Sequence, residues 1–543
     1  MRAHAQRILR DTERSVQRSL RDQNLDASGP HYGAFAQRDG VYQAKSTIWC
    51  AASMIACYCH GQSRYHHDEQ ILSRVMLALD YAERVQHDNG LFDYVTCNFF
   101  SAPDTAFCIL KIIPHLQYLT AKAERSAGEE TVRARLARII HAGAHGLLEG
   151  GFHTPNHRWA IASALAACGR MFGEAALSQA AQVYLNEGID CSPDGEYAER
   201  SAGNYNTVNN DAMLLLADAL DDPAYEQHVI RNLHMMLTYW EPDDSIFTAN
   251  STRFDKDRLV YPQAYYIEYL AMGVKYQIPE FLAMANRIME IVHRRELPAP
   301  DVLIDLMLHP QWVQAEYPHS AAPERYSACY EASGVVRVRR GHYTYTVMRG
   351  RSTFLWVHNG SIRLGVKIGG SFCEHRAFIA ETMTQRDDGV HLHQTMRGWY
   401  YLPFEQPPQT SDWWQMDHAS RAKKPGPDME IDVIVRETDD GLEVELQTSG
   451  VAGAPWRVEL AFTGITRIAN EHLSLPVRGD EVLVLRDSFF EVMNDDAVMR
   501  IGPAFGAHHF TEGKEDSEAK TPGAATVCLT DYTPFRHTLT IRP

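Results

Sequence analysis

The sequence predicts an α+β multidomain protein, with a helical domain over residues 1–315 and an antiparallel β-sandwich over residues 316–543. Three observations carry this. From about residue 40 to about residue 315, apolar residues recur at three- to four-residue spacing in stretches rich in Ala, Leu, Met and Tyr, the period of an α-helix. Within that span one pattern repeats: a helix ends, a tight turn and a polar loop follow, and a Pro or Gly opens the next helix. Beyond about residue 330 the chain breaks into short alternating runs dense in β-branched and aromatic residues, separated by turn residues.

In chain order, residues 1–30 read as a charged helix ending at the Gly29-Pro30 break. The repeated turns are Asp88–Phe92, Glu149–Phe152, Asp194–Tyr197 and Asp243–Phe247. The helix openings after them are Ala102–Phe107, Thr154–Trp159, Gly203–Val208 and Tyr261–Tyr266, with a poorer match at Tyr42–Thr47. Two-helix units of roughly 50–60 residues pack into a curved array, which gathers the loops and the inner-helix N-termini on one face. Lys45, Asp104, Asn156, His157, Tyr205, Tyr261 and Tyr265 are then expected to line one groove. In the C-terminal half, M-E-I-D-V-I-V-R-E, G-L-E-V-E-L-Q-T and W-R-V-E-L-A-F are sandwich strands in waiting. Ala419–Asp428 and Gly513–Gly523 read as polar loops, and Trp413-Trp414 as sandwich core.

Composition bounds the function. The formal net charge is −17 over 543 residues, with the acidic residues dispersed, so nucleic acid is not the expected partner. A local Arg/His/Lys cluster can still bind an anionic sugar. The ten cysteines show no metal-ligand spacing, and Cys57 and Cys59 sit in an apolar helical stretch as buried thiols. No run is long and apolar enough for a bilayer span, and the N-terminal M-R-A-H-A-Q-R-I-L-R lacks the apolar core of a secretion signal. The expectation is a cytoplasmic protein. No nucleotide-binding glycine loop lies between a strand and a helix.

Two motifs carry chemistry. In T-P-N-H-R-W, Thr154 is a plausible N-cap and Pro155 suits the first helical turn, so Asn156 and His157 fall beside unpaired backbone N–H groups. An amide, an imidazole and the positive end of a helix make a carboxylate site. In D-G-E-Y-A-E-R-S-A-G-N-Y-N, Tyr205 stands at another helix start after Ala202-Gly203. A carboxylate clamp with a tyrosine as proton carrier suits β-elimination from a uronic acid sugar. An unperturbed tyrosine titrates near about 10, so base action needs a positive neighbour, and Arg158, Arg200 and Arg253 are the candidates.

A helical array with Asn-His opening an inner helix, the Asp194–Asn206 motif some 50 residues later, and a following sandwich resembles the heparinase II/III-type lyases, which include alginate and oligoalginate lyases. The resemblance implies that the helices form an incomplete (α/α) toroid. It also implies cleavage at C4 of a uronate after removal of the C5 proton, with Asn156 and His157 neutralising the carboxylate and Tyr205 moving the proton. Asp104, Arg158, Arg200, Arg253 and Tyr261 would contact the sugar. The family adds a histidine from an H-G-H-x-D-like stretch of the sandwich. Here the chain departs, with W-V-H-N-G-S-I-R-L-G at Trp356–Gly365. His358 is the nearest counterpart and His375 its competitor. No cofactor is required on this reading, although a structural divalent metal in the sandwich stays open. The partner is a uronate-containing oligo- or polysaccharide, and a homodimer is allowed.

Two readings compete. Asp194, Glu196 and Glu199 form an acidic cluster beside Tyr205 from which a toroidal glycoside hydrolase would take its acid and base, with Asp104 and Asp194 as the other candidate pair; read structurally, Asp194-Gly195 is a turn and Glu199 braces Arg200. A non-catalytic glycan-binding or scaffold protein would show the same fold.

Overall fold

The computed structural model describes residues 1–151, 154–316, 323–511 and 517–543. They divide into two units, residues 1–240 with 244–322, and residues 323–543 with the short segment 241–243.

The first unit is helical. After α1 (Arg2–Asp22) come helical hairpins: α2 (Ala44–Cys59) with α3 (Glu69–Val85), α4 (Ala102–Ala121) with α5 (Ala127–Gly146), α6 (Pro155–Phe172) with α7 (Ala175–Leu185), α8 (Tyr205–Leu220) with α9 (Ala224–Met236), and α10 (Tyr266–Tyr276) with α11 (Pro279–Arg294). The short α12 (Leu303–Leu308) and α13 (Pro310–Gln314) end the unit. The inner helices α2, α4, α6, α8 and α10 touch one another in sequence, as in an incomplete (α/α) toroid. An inner helix has neighbours on every side and must be apolar all round. In α6 the stretch from Trp159 to Gly169 is buried throughout. Trp159 has its indole N–H satisfied by Asp190 at 2.6 Å, and removing that ring would cost about 3–5 kcal/mol. The short α12 packs on α2 and α4, and Lys111 of α4 reaches Asp301 at 2.8 Å.

The repeated turns have a physical cause. Gly90 and Gly195 have φ of +86° and +92°, and an added Cβ would fall 1.9 Å from the Ala142 carbonyl of α5 and 2.4 Å from the Arg231 carbonyl of α9. Each turn is therefore seated on the outer helix of its own repeat, where only glycine fits. In the last repeat Asp244 takes the left-handed position, at φ +66°, and its carboxylate binds Arg287, Arg294 and Arg295 around α11. In the turn expected at Glu149–Phe152, Phe152 lies outside the described residues, whereas Gly150 and Gly151 both have positive φ. The openings read from the sequence start α4, α6 and α8, while Tyr261–Tyr266 opens through a 3-10 turn, Pro262–Tyr265. The loop before α4 is not merely polar. It holds a two-stranded hairpin, Phe92–Tyr94 with Asn98–Ser101.

The second unit is a sandwich of two sheets. One runs in hydrogen-bonded order from Arg325–Tyr330 through Val335–Arg340, Tyr343–Met348, Thr353–Asn359 and Ile362–Phe372 to Pro455–Thr463 and Ala525–Tyr532, with Val482–Val484 parallel at its edge. The other contains Thr382–Arg386, Gly389–Met396, Met429–Thr438, Gly441–Ser449 and Arg536–Arg542, and continues to Val498–Gly502 and Phe490–Met493. Alternation works as expected: in Met429–Thr438, Met429, Ile431, Val433 and Val435 face the core that Leu364, Val366, Leu460 and Val527 fill from the other sheet.

Two expectations need correction here. Trp413 and Trp414 are not core: they are 50% and 90% exposed, held in a 3-10 turn capped by Asp412. The Ala419–Asp428 stretch is not only loop, because Lys423–Pro425 pairs with Trp399–Tyr401. The Gly513–Gly523 segment falls partly on residues 513–516, outside the described residues.

Candidate active site

Thr154 is the residue before α6, but its hydroxyl does not cap the backbone. It accepts from the Asn156 side-chain amide at 2.8 Å. The N-terminus of α6 is met instead by Glu199, which accepts from the Asn156 backbone N–H at 3.2 Å and from its amide nitrogen at 2.8 and 3.0 Å. The N-terminus of α6 thus does receive a carboxylate, and it is the protein's own Glu199. The expectation that Glu199 braces Arg200 is corrected accordingly: Glu199 pairs with Arg253 at 3.4 Å, while Arg200 reaches Asn250. Burial pushes the Glu199 carboxyl above the usual range against the opposing pull of Asn156 and Arg253.

The Asp194–Asn206 motif is mostly frame. Glu196 accepts from Tyr239 and Asn250. Ser201 donates to buried Asp255 at 2.8 Å while accepting the Tyr205 backbone N–H at 3.1 Å. Asp255 also takes the Gly203 N–H and the Ser251 hydroxyl, and Tyr265 holds the Ala202 carbonyl. These bonds fix the start of α8 against the loop before α10. Tyr205, the first residue of α8, is half-exposed. Its hydroxyl has no hydrogen-bond partner among the described residues. The Arg253 guanidinium lies 5.2 Å from its ring centroid and Phe254 meets it edge-on at 5.7 Å.

The remaining N-termini connect to this point. Asp104, in the first turn of α4, binds the Ser101 hydroxyl at 2.7 Å and Lys45 at 3.4 Å. The Lys45 ammonium also lies over Phe107 at 4.7 Å, and Phe107 meets His157 edge-on at 5.9 Å. Lys45, Asp104, His157, Asn156, Arg253 and Tyr205 therefore form one continuous line across the N-termini of α2, α4, α6 and α8. Arg158 turns away to Glu187 at 2.5 Å and stacks on Trp159. Tyr265, under the Ala202 carbonyl, and Asn156, against Glu199, are both buried and do not themselves line a groove. Tyr261 is half-buried against Arg295. Sequence reasoning missed Phe254, 57% exposed beside Tyr205, whose one signal was a large apolar residue in a polar loop.

His358 belongs to the second unit, on the strand Thr353–Asn359. It is buried, with Nδ1 3.4 Å from the Glu241 carboxylate. Glu241 also binds Arg337 at 2.8 Å and the Thr344 hydroxyl. Burial favours raising the Glu241 carboxyl, but Arg337 and His358 outweigh it and bring it down to about 2. Burial lowers the His358 imidazole below its ordinary value. His375 sits half-buried on a short strand, His375–Ala377.

No protein-family model matches the chain, and no curated protein sequence does. Solved structures do. A Paenibacillus xanthan lyase superposes with a TM-score of 0.56 at 9% identity, covering 99% of this chain, which spans 57% of that lyase's length. The chondroitin AC lyase of Streptomyces coelicolor A3, solved with chondroitin sulphate, gives 0.54 at 12% identity, over 99% of this chain and 79% of the other. Heparinase III gives 0.55 at 10% identity, over 98% and 85%. The chain has the fold of the heparinase-type polysaccharide lyases, a helical toroid followed by a β-sandwich.

Proposed function

We propose that the chain is a polysaccharide or oligosaccharide lyase acting on a uronate-containing glycan by β-elimination. One observation supports this most: on a lyase fold, Tyr205 is half-exposed, its phenol makes no hydrogen bond among the described residues, and it lies beside the Arg253 guanidinium on the line that runs to Asn156 and His157. Tyr205 as phenolate takes the C5 proton. The C5–H electron pair becomes the C4–C5 double bond, the C4–O bond breaks, and the departing oxygen receives a proton from the same phenol. The charge that develops on the C5 carboxylate needs cations and donors fixed in advance. Arg253, His157 and the Asn156 amide supply them, and the sugar carboxylate competes with Glu199 for the amide and the guanidinium. Asp104, Arg200 and Tyr261 stay in this reading as sugar contacts. His358 enters from the resemblance as a third catalytic group, and the chemistry as written calls for no cofactor.

The test is ultraviolet absorbance over time with a panel of uronate polymers and oligosaccharides. A rise from the conjugated double bond, abolished in Tyr205→Phe, is the expected result. New reducing ends without the absorbance would overturn the reading in favour of a hydrolase, and tight glycan binding without product would make it a binding protein.

A further inference from the structure

We propose that His141, His145 and Glu174 form a binding site for a divalent transition ion of the zinc class on the outer helices of the helical unit. The proposal goes beyond the lyase reading and does not rest on it.

His141 and His145 are four residues apart on α5, so their imidazoles share one face, with ring centroids 4.6 Å apart. Glu174 comes from the next hairpin, at the residue before α7. Its carboxylate does not cap its own helix. One oxygen stands 2.6 Å from His141 Nε2 and the other 2.9 Å from His145 Nε2. The three ligand atoms lie within 4.8 Å of one another. Among the described residues, no other group of three or more His, Cys, Asp or Glu side chains is gathered closely enough to share an ion.

The backbone fixes this placement. Gly173 ends α6 in the left-handed region at φ +70°, and the Glu174 N–H returns to the Gly169 carbonyl at 2.9 Å. A Cβ on Gly169 would fall 2.3 Å from the Ser178 hydroxyl, so the α6–α7 connection is drawn tight and Glu174 has little freedom of position. Phe172 meets the His141 ring edge-on at 5.0 Å and 89°, holding its plane. The side chains remain 46%, 46% and 31% accessible, which leaves an ion a route from solvent.

The donor set selects the ion. Two imidazoles and one carboxylate suit zinc and its neighbours, and a hard ion such as magnesium or calcium would prefer oxygen alone. Zinc–nitrogen and zinc–oxygen bonds of about 2.0–2.2 Å put tetrahedral ligand atoms roughly 3.3 Å apart, so small rotamer changes open the present contacts enough to admit the ion. The fourth position is left to water. The bound ion would tie α5 to the start of α7, cross-linking two successive repeats.

The experiment titrates the untagged, metal-stripped full chain with Co²⁺ followed by visible absorbance and with Zn²⁺ followed by calorimetry. We expect saturable binding of one ion per chain at about micromolar affinity or tighter, and a higher melting temperature with Zn²⁺. His141→Ala/His145→Ala, and separately Glu174→Gln, should each weaken binding by more than about tenfold. His66→Ala/His67→Ala, which removes a stacked histidine pair elsewhere on the helical unit, should leave it unchanged. No saturable binding, binding only in the millimolar range, or affinity undiminished in both site variants would overturn the proposal. Equal loss in the His66/His67 variant would overturn it as well.

Discussion

The carboxylate of Glu199 takes both the backbone N–H and the side-chain amide of Asn156, at 3.2 Å and 2.8 Å, and so occupies the N-terminus of α6. Both hydrogens of that amide are engaged, one set toward Glu199 and one toward Thr154. Asn156 is therefore a structural anchor as well as the proposed clamp, and its removal has two consequences. Asn156→Ala leaves a buried carboxylate short of donors, a penalty of about 1–3 kcal/mol, so its melting temperature should fall. Its turnover on a uronate should fall by a larger factor than stability explains when the variant is assayed well below its melting point. Turnover that follows the folded fraction alone would reduce Asn156 to a brace for Glu199.

Tyr205→Phe separates chemistry from stability more cleanly. The hydroxyl makes no hydrogen bond among the described residues, so the melting temperature should stay within about 1 °C. Loss of the proton carrier should lower turnover by about 10²–10⁴-fold. Steady-state rates of unsaturated product decide it, and retained turnover would take Tyr205 out of the mechanism.

Much of this frame was legible in the sequence because it follows from local rules. Helical periodicity, Pro and Gly at helix openings and strict alternation in Met429–Thr438 each leave a mark within a few residues. Asn156 and Tyr205 were visible for the same reason, since a helix start gives them their place. Glu199 was misread because its partners, Asn156 and Arg253, are brought to it by the packing of other repeats. Arg158 and Arg253 look alike in the sequence, yet only Arg253 lies over Tyr205, and Arg158 is spent on Glu187. Trp413-Trp414 failed differently: aromatic character argues for burial on average, but the flanking S-D and Q-M-D-H already marked a polar segment.

Glu268 gives a prediction about pH. It is fully buried on α10, takes one hydrogen bond from Asn210 at 2.8 Å, and its other oxygen has no partner among the described residues. Burial, then the nearby Asp211, raises its carboxyl well above the ordinary value. A raised folded-state pKa favours stability below the unfolded value, and that contribution is lost as pH rises through the folded one. Glu268→Gln mimics the protonated form and has no such loss. The variant should gain melting temperature over the natural chain as pH rises from about 5 to about 9, with little difference at the acid end. A constant difference across that range would refute the assignment. Asn210 also accepts from Tyr197 and binds Asn232, which holds the Gly195 carbonyl. The effect therefore reaches the turn that frames the site.

His358 tests the part carried over from the resemblance. If it takes part in the chemistry, His358→Gln should lower turnover by about tenfold or more with the melting temperature nearly kept. A lower melting temperature with turnover per folded molecule unchanged would assign it instead to holding Glu241, with Arg337, inside the sandwich unit.

Arg253 bears most directly on how a tyrosine serves as base. Its guanidinium faces two partners, the Tyr205 ring at 5.2 Å and the Glu199 carboxylate at 3.4 Å. A guanidinium fixed at that point stabilises the charge that develops on the phenol and on the sugar carboxylate as the proton moves. In Arg253→Ala turnover on a uronate should fall by about tenfold or more. Arg253→Lys keeps the charge but loses the planar guanidinium, and should recover only part of the rate. Turnover unchanged in Arg253→Ala would take Arg253 out of the mechanism, and the search for the cation that serves Tyr205 would then turn to Arg200, which lies near Asn250 in the same loop cluster.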